Sequence, residues 1–174
     1  MNLVIIGFMG TGKSSIGKIL AQKLNYEFID TDQLIETERH QKITQIFLEE
    51  GEAFFRSLEN KLAGELSGLD QKVIATGGGW VLNPENLQLS RVNGYIISLT
   101  AKPEIIYERI KHETHRPLLA SEDPLAKIKE IMSQRESLYR NGDLVMDISL
   151  GTPEQIAERI IKELTRRGIL NARG

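Results

Sequence analysis

The sequence predicts a three-layer α/β/α fold, in which helices cover both faces of a parallel sheet of about five strands. Short apolar runs alternate with helical stretches along the whole chain, and no low-complexity linker or internal repeat interrupts them. Right-handed crossovers between parallel strands then bring helices to both faces. The chain has 174 residues, of which 40% are hydrophobic and 26% charged, as expected for one globular domain.

The elements follow from local patterns. Strands are predicted at the apolar runs 3–6, 26–29, 72–75, 95–99 and 144–148. Helices are predicted over about 13–24, 31–40, 44–50, 53–66, 84–91, 103–111, 124–139 and 153–167. Three helix starts carry a side-chain acceptor and then proline, at Asn83-Pro84, Asp123-Pro124 and Thr152-Pro153. Thr152 and Gln155 also form a capping box, and Gly168 is expected to end the last helix.

The first strand leads into a glycine-rich loop, Gly7-Phe8-Met9-Gly10-Thr11-Gly12-Lys13-Ser14, and an amphipathic helix follows it. This is the pattern of a phosphate-binding loop. Its glycines let backbone N–H groups point into one concavity, Lys13 adds a positive charge, and Ser14 offers a hydroxyl to Mg²⁺. We therefore predict binding of a nucleoside triphosphate. The candidate contacts are Gly10, Thr11, Gly12, Lys13, Ser14 and Ser15. A glycine-rich turn with an incidental lysine is the weaker alternative.

The bulk composition argues against several other functions. A net charge of −2 and a pI near 6.0 disfavour non-specific nucleic-acid binding, and Arg166-Arg167 is interpreted as a basic helix end. The absence of cysteine excludes disulfides, thiolate metal sites and thiol nucleophiles. No apolar run approaches the roughly 20 residues of a membrane span, and no signal peptide is recognisable. We expect a cytoplasmic protein that binds neither nucleic acid nor membranes.

Two acids follow the second predicted strand, at the sheet edge where ligands of parallel sheets bind. Asp30 and Asp32 are two residues apart. One carboxylate can lie near Mg²⁺, and the other can orient a substrate hydroxyl and accept its proton. Capping of the next helix is the alternative, but the nearby phosphate loop favours the functional interpretation.

Three successive glycines, Gly77-Gly78-Gly79, follow the third predicted strand. Ordering three glycines is entropically unfavourable, so a plain connection does not require them. We interpret them as the place where a ligand approaches the main chain, with a flexible connection as the alternative. Trp80 beside them is interpreted as a packing residue, although its fluorescence should respond to ligand binding.

Arg56 and Glu59 lie three residues apart in a predicted helix, so their side chains can meet. A surface ion pair of little energetic value is the alternative. Because Arg56 adjoins Phe54-Phe55, we favour a semi-buried position in which an arginine held by a carboxylate binds a substrate acid. Arg135 is a second candidate of this kind. The nearby acids are interpreted as a solvated helix end: Glu49, Glu50 and Glu52.

The polar segment 112–117 is interpreted as part of a lid over about 111–123. Arg116 would reach from it to neutralise phosphate charge, as an arginine finger does. His112 and His115 lack an apparent third ligand for a metal, so they are interpreted as solvated side chains.

Taken together, these motifs resemble those of the shikimate kinases, relatives of the nucleoside monophosphate kinases, over essentially the whole chain. The resemblance rests on the phosphate loop, residues 28–32, Phe55-Arg56 with Glu59, the three glycines, Arg116-Pro117-Leu118-Leu119, and Arg135 before Leu138-Tyr139. It implies a P-loop kinase fold, with residues 1–174 as one kinase domain and substrate-binding helices at about 31–66. It also implies transfer of the γ-phosphate of ATP to the 3-hydroxyl of shikimate, in chorismate and aromatic amino-acid biosynthesis.

On the acceptor side, the resemblance implies that Asp32 holds the accepting hydroxyl. It implies that Arg56 and Arg135 bind the shikimate carboxylate and that Gly78 makes a main-chain contact to the substrate. Two features depart from the family pattern. Trp80 is bulkier than expected after the glycines, which could alter the cleft wall, and residues 111–115 contain no glycine for a lid hinge.

On the nucleotide side, the resemblance implies that Arg116 contacts the ATP phosphates and that Lys13 acts with it in catalysis. It implies that Ser14 binds Mg²⁺, with Asp30 near the ion through water. Arg109 and Thr152-Pro153 match positions near the adenine. The implied partners are ATP and shikimate, bound by a monomer.

Two other functions are alternatives to this one. Another small-molecule kinase, such as a gluconate or nucleotide kinase, is disfavoured by the paired acids, the three glycines and the two arginines. A non-catalytic binding module would be expected to lose Asp32 or Lys13, and both are present.

Overall fold

The computed structural model describes residues 1–112 and 122–171. Within them a parallel sheet contains the strands β1 (Asn2–Gly7), β2 (Glu27–Asp30), β3 (Lys72–Ala75), β4 (Gly94–Thr100) and β5 (Leu144–Asp147). Their order across the sheet is β2-β3-β1-β4-β5, and every neighbouring pair is parallel. Each predicted strand is therefore confirmed, with ends displaced by no more than about one residue.

The helices of the described residues are α1 (Lys13–Leu24), α2 (Thr31–Arg39), α3 (Ile43–Glu49), α4 (Gly51–Ser67), α5 (Pro84–Val92), α6 (Pro103–Ile110), α7 (Pro124–Tyr139) and α8 (Pro153–Arg166). Each corresponds to a predicted helix. A short 3₁₀ helix at Trp80–Leu82, which the sequence analysis did not predict, joins the glycines to α5.

Side chains of β1 show how the three layers form. Leu3 and Ile5 point to one face, where α1 and α8 cover them, and Val4 and Ile6 point to the other, which packs against α2 to α7. All four are buried almost completely. The sheet thus lies between two apolar layers, and the predicted α/β/α architecture is confirmed.

The predicted helix starts are also present. Asn83 accepts a hydrogen bond from the Glu85 N–H (3.0 Å), and Asp123 accepts one from the Ala126 N–H (3.0 Å). Thr152 and Gln155 form the reciprocal capping box of α8. At the other end of α8, Gly168 has φ 71°, and the chain reverses there.

The carboxyl ends of β1, β2 and β3 lie next to one another, because β3 pairs with both of the other strands. The phosphate loop, the two acids and the three glycines follow these ends directly. In the described ranges, no helix combines the length and apolar character needed to cross a membrane.

Candidate active site

The phosphate loop is stabilised by hydrogen bonds to its own carbonyl groups. Gly10 and Gly12 adopt positive φ values of 74° and 82°, a conformation that glycine tolerates best. The Lys13 ammonium donates to the carbonyls of Gly7 (2.9 Å) and Phe8 (3.1 Å). No side chain caps the N-terminus of α1, so the loop presents backbone N–H groups to a cleft of about 330 Å³. This is the arrangement that binds phosphate.

Thr11 is placed differently from the rest of the loop. Its N–H and its hydroxyl both donate to the Phe8 carbonyl, at 3.3 and 2.7 Å, and its side chain is buried. Lys13, Ser14 and Ser15 line the phosphate cleft, whereas Thr11 does not. Thr11 therefore supports the loop from behind, and its predicted contact with ATP stays a prediction.

Ser14 and Asp30 meet at the wall of the phosphate cleft. The Ser14 hydroxyl donates to Oδ2 of Asp30 at 2.6 Å, while Oδ1 of Asp30 accepts from the backbone N–H groups of Asp32 and Gln33. One oxygen of Asp30 thus caps α2, as the alternative interpretation expected, and the other accepts from Ser14 of the phosphate loop; its place near Mg²⁺ stays a prediction. No cluster of three or more His, Cys, Asp or Glu side chains suited to a metal exists in the described parts of the chain.

Asp32 lies where two clefts join. It lines the phosphate cleft and also a second cleft of about 310 Å³, and of the residues that the structure describes only Met9 and Gly78 share this position with it. Its Oδ1 is buried and has no hydrogen-bond partner among the described residues. Burial raises the pKa of Asp32, and the charge of Asp30 raises it further, while Lys13 and Arg56 act in the opposite direction.

The three glycines have three different surroundings. A Cβ on Gly77 would lie 2.6 Å from Oδ1 of Asp32 and 2.9 Å from Oε1 of Glu59, and one on Gly79 would overlap the guanidinium of Arg56. A Cβ on Gly78 would make only an ordinary contact, 3.5 Å from the Met9 nitrogen, and Gly78 lines both clefts. The two outer glycines therefore permit close packing of charged side chains, and the middle one exposes main chain to the two clefts.

Arg56 is held on α4 by two glutamates. Its Nη1 donates to Oε2 of Glu59 at 2.6 Å, as the sequence predicted, and Glu59 is completely buried. Its Nε and Nη2 donate to Oε1 of Glu52, at 3.2 and 2.8 Å. Glu52 lies in the first turn of α4 with its side chain 60% exposed, as expected for a solvated helix end, and it is also paired with Arg56.

Arg135 comes from α7 and lines the second cleft opposite α4, together with Ile131. One turn later, Tyr139 donates from its hydroxyl to the Gly78 carbonyl at 2.7 Å. Burial raises the pKa of Tyr139, and the adjacent guanidinium of Arg135 partly offsets this. This role of Tyr139 is not predictable from the sequence, because its partner is 61 residues away and no local pattern indicates it.

A third depression, of about 280 Å³, continues from the phosphate cleft. Arg109 lines both, donating to the carbonyls of Gly10 (3.4 Å) and Ile148 (3.3 Å). Gly151 and Pro153 form part of its wall. The structure therefore brings Arg109 and the start of α8 together beside the phosphate loop.

The expectations for the lid and for Trp80 have different outcomes. Arg116, His115 and most of the proposed lid lie outside the described residues. Trp80 is buried, donates to the Ser90 hydroxyl at 3.2 Å and does not line the second cleft, so it is a packing residue. The expected change in the cleft wall was wrong, because the indole lies away from the cleft. The expected response of its fluorescence to ligand binding stays a prediction.

Comparison with known proteins gives a consistent result. The family model described as "Shikimate kinase" matches residues 9–165. The shikimate kinase of Thermodesulfovibrio yellowstonii is 44% identical over 165 residues, which cover 95% of both chains. That of Caldanaerobacter subterraneus is 47% identical over 161 residues, covering 92% of this chain and 94% of the relative.

Among solved structures, shikimate kinase from Acinetobacter baumannii in complex with shikimate matches with a TM-score of 0.91 and 30% identity. The match covers 97% of this chain and 95% of that one.

Proposed function

The chain belongs to the shikimate kinase family, and we propose that it transfers the γ-phosphoryl group of ATP to the 3-hydroxyl of shikimate. The observation that carries this proposal is the position of Asp32. It stands where a phosphate-binding cleft meets a second cleft lined by Arg56 and Arg135. A carboxylate between a triphosphate site and an acid-binding site is suited to hold the hydroxyl that is phosphorylated.

The phosphate loop would hold the triphosphate through the N-terminus of α1, and Lys13 would neutralise charge on the outer phosphates. Arg109 and the turn before Pro153, which adjoin the third depression, would contact the adenine side. Arg116 is proposed to add positive charge over the phosphates. These groups stabilise the transferred phosphoryl by charge and position.

Mg²⁺ fits the phosphate cleft chemically, because Ser14 and Asp30 present two hard oxygen ligands 2.6 Å apart at its wall. Mg²⁺ takes few protein ligands and completes its shell with water and phosphate oxygens. When bound, it would neutralise developing phosphate charge. Ser14 would be a direct ligand, and Asp30 would act through water while still capping α2.

In the second cleft, Arg56 and Arg135 would bind the shikimate carboxylate from α4 and α7. The main chain at Gly78 would contact the ring. Asp32 would orient the accepting hydroxyl and take its proton during transfer, which requires its carboxylate form. Its raised pKa increases its basicity toward that proton.

A coupled assay of ADP release tests the reaction. We expect ADP formation that depends on shikimate and Mg²⁺, with no comparable rate when the acceptor is omitted. Gluconate and nucleoside monophosphates serve as acceptor controls for the alternative kinases. ADP release without dependence on shikimate would contradict the proposal.

We further propose that the enzyme acts as a monomer in the cytoplasm, where ATP is supplied.

A further inference from the structure

The guanidinium of Arg56 is surrounded by acceptors and main chain. An arginine can bind a carboxylate with two N–H groups either at its side edge, Nε and Nη2, or at its outer edge, Nη1 and Nη2. Glu52 accepts from both groups of the side edge, at 3.2 and 2.8 Å. Gly79 is packed against the outer edge so closely that a Cβ there would overlap Nη1 and Nη2. The side edge is therefore occupied by Glu52, and Gly79 leaves little room at the outer edge.

The two glutamates that hold Arg56 differ in how readily they can leave. Glu59 is completely buried and bonds Nη1 at 2.6 Å from the floor of the second cleft. Exposing or unpairing a buried carboxylate is unfavourable. Glu52 is 60% exposed, so water can replace Arg56 as its partner. Glu52 is therefore the acid that can be exchanged.

We propose that Glu52 is a positioning residue that holds the substrate-carboxylate position on Arg56 in the empty enzyme, and that the acid displaces it on binding. This inference rests on the proposed function. Glu52 keeps the guanidinium paired while the cleft is empty, and Glu59 keeps it anchored during the exchange. The negative charge of Glu52 repels an entering carboxylate. This repulsion adds to that of the acids Asp32 and Glu59, which line the cleft.

The proposal predicts how Glu52→Gln changes ligand binding. Glutamine has the same length without the charge, so it competes less well for Arg56. Binding of shikimate without ATP, measured by calorimetry, should become about two- to tenfold tighter, the range expected for loss of a competing, partly exposed ion pair. The methyl ester of shikimate should bind both proteins equally, since it has no carboxylate. The KM for shikimate should fall while kcat stays within about twofold.

A matched control lies on the same helix. Glu65 pairs with Lys61 at the same spacing of four residues, and its side chain is 50% exposed. Glu65→Gln removes an equivalent charge away from the cleft, so it should change neither the affinity for shikimate nor that for the ester.

Several outcomes would overturn the inference. One is that Glu52→Gln binds shikimate as tightly as the wild type or more weakly. Another is that the substitution changes the affinities for shikimate and for its methyl ester by the same factor. If the variant does not fold, a structure of the wild-type complex with shikimate shows whether the acid displaces Glu52 from Arg56. The Glu52 carboxylate should then lie beyond hydrogen-bond distance of Nε and Nη2, and its retention there would refute the exchange. A wild-type protein that neither binds nor phosphorylates shikimate would instead refute the proposed function.

Discussion

The carboxylate of Asp32 is placed where the folded chain gives it little support. Its Oδ1 is buried without a hydrogen-bond partner among the described residues, and Oε1 of Glu59, across Gly77, is in the same condition. Burial raises the pKa values of both groups. A buried polar atom that lacks a partner is unfavourable unless a ligand supplies one. The fold alone therefore leaves these two neighbouring acids unfavourably placed.

Asp32→Asn should remove most turnover. Asparagine matches the shape of the carboxylate but cannot accept the hydroxyl proton as a base. We expect kcat to fall by about 10²- to 10⁴-fold in the ADP-release assay, while ATP binding by calorimetry is retained. Asp70→Asn is the control, because that side chain is 60% exposed and pairs with the N-terminal amine. Near wild-type kcat in Asp32→Asn would remove Asp32 from its proposed role.

The same variant should be more stable than the wild type at neutral pH. A carboxyl group whose pKa is higher in the folded chain binds protons more readily there than in the unfolded chain. Stability therefore falls as the pH rises from the ordinary value of 3.8 through the raised one. Asparagine does not titrate, so the variant does not lose stability in this way as the pH rises. Thermal unfolding without ligands should show a higher Tm for Asp32→Asn at pH 7, and a smaller difference near pH 4. A lower Tm at both pH values would contradict this.

Among the elements, α8 shows how a helix end can be read from sequence. Its capping box and its glycine were predicted from residue types alone. In the structure the N–H of Gly168 donates to the Thr165 carbonyl (3.0 Å), and that of Ile169 donates to the Leu164 carbonyl (2.9 Å). This pair of bonds is the Schellman motif, which requires a left-handed residue at Gly168.

Gly168→Ala should destabilise the protein by about 1 kcal/mol, because φ is 71° there while a Cβ would meet nothing within 4 Å. The effect would come from backbone conformation alone. Gly64→Ala is the matched control: it also has nothing within 4 Å, but it lies inside α4. That change should stabilise by about 0.5–1 kcal/mol. Denaturant unfolding measures the change in the free energy of unfolding for both variants. A change of the same sign in both would contradict this account.

Prediction from sequence succeeded where the cause is local. The strands follow apolar runs, the caps follow single side chains, and the Arg56–Glu59 pair follows helical spacing. Prediction was incomplete where a feature depends on contacts between residues that are far apart in the sequence. Nothing near Gly77 or Gly79 in sequence shows that Asp32 and Arg56 pack against them. The Glu52 pair has helical spacing as well, but runs of acids are usually solvated, and only the packing around Arg56 distinguishes this one.

For the whole molecule, the second cleft joins parts of the chain that are far apart. Arg56 comes from α4, which packs on α3 and α5, and Arg135 comes from α7, which packs on α6. Tyr139 ties α7 to the glycines through Gly78. The two arginines that we propose to bind the acid thus converge only when both helices are in place on the sheet.

Arg135→Ala should weaken acid binding selectively. Loss of a charged hydrogen-bonding group of this kind corresponds to about 1.5–3 kcal/mol, so the KM for shikimate should rise about 10- to 100-fold. The KM for ATP should change little, since Arg135 does not line the phosphate cleft. Arg140→Ala, which removes an exposed arginine paired with Glu136, is the control. Unchanged shikimate affinity would show that Arg135 does not bind the acid.

The three depressions at the sheet edge form one continuous trough, since neighbouring ones share Gly78 or Arg109 in their walls. A single compound could therefore run its length, with a purine at one end and a cyclohexene acid at the other. Such a bisubstrate inhibitor would lose translational freedom once instead of twice. Its linker would have to pass beside Asp32, and its length there would decide how much of that advantage is kept.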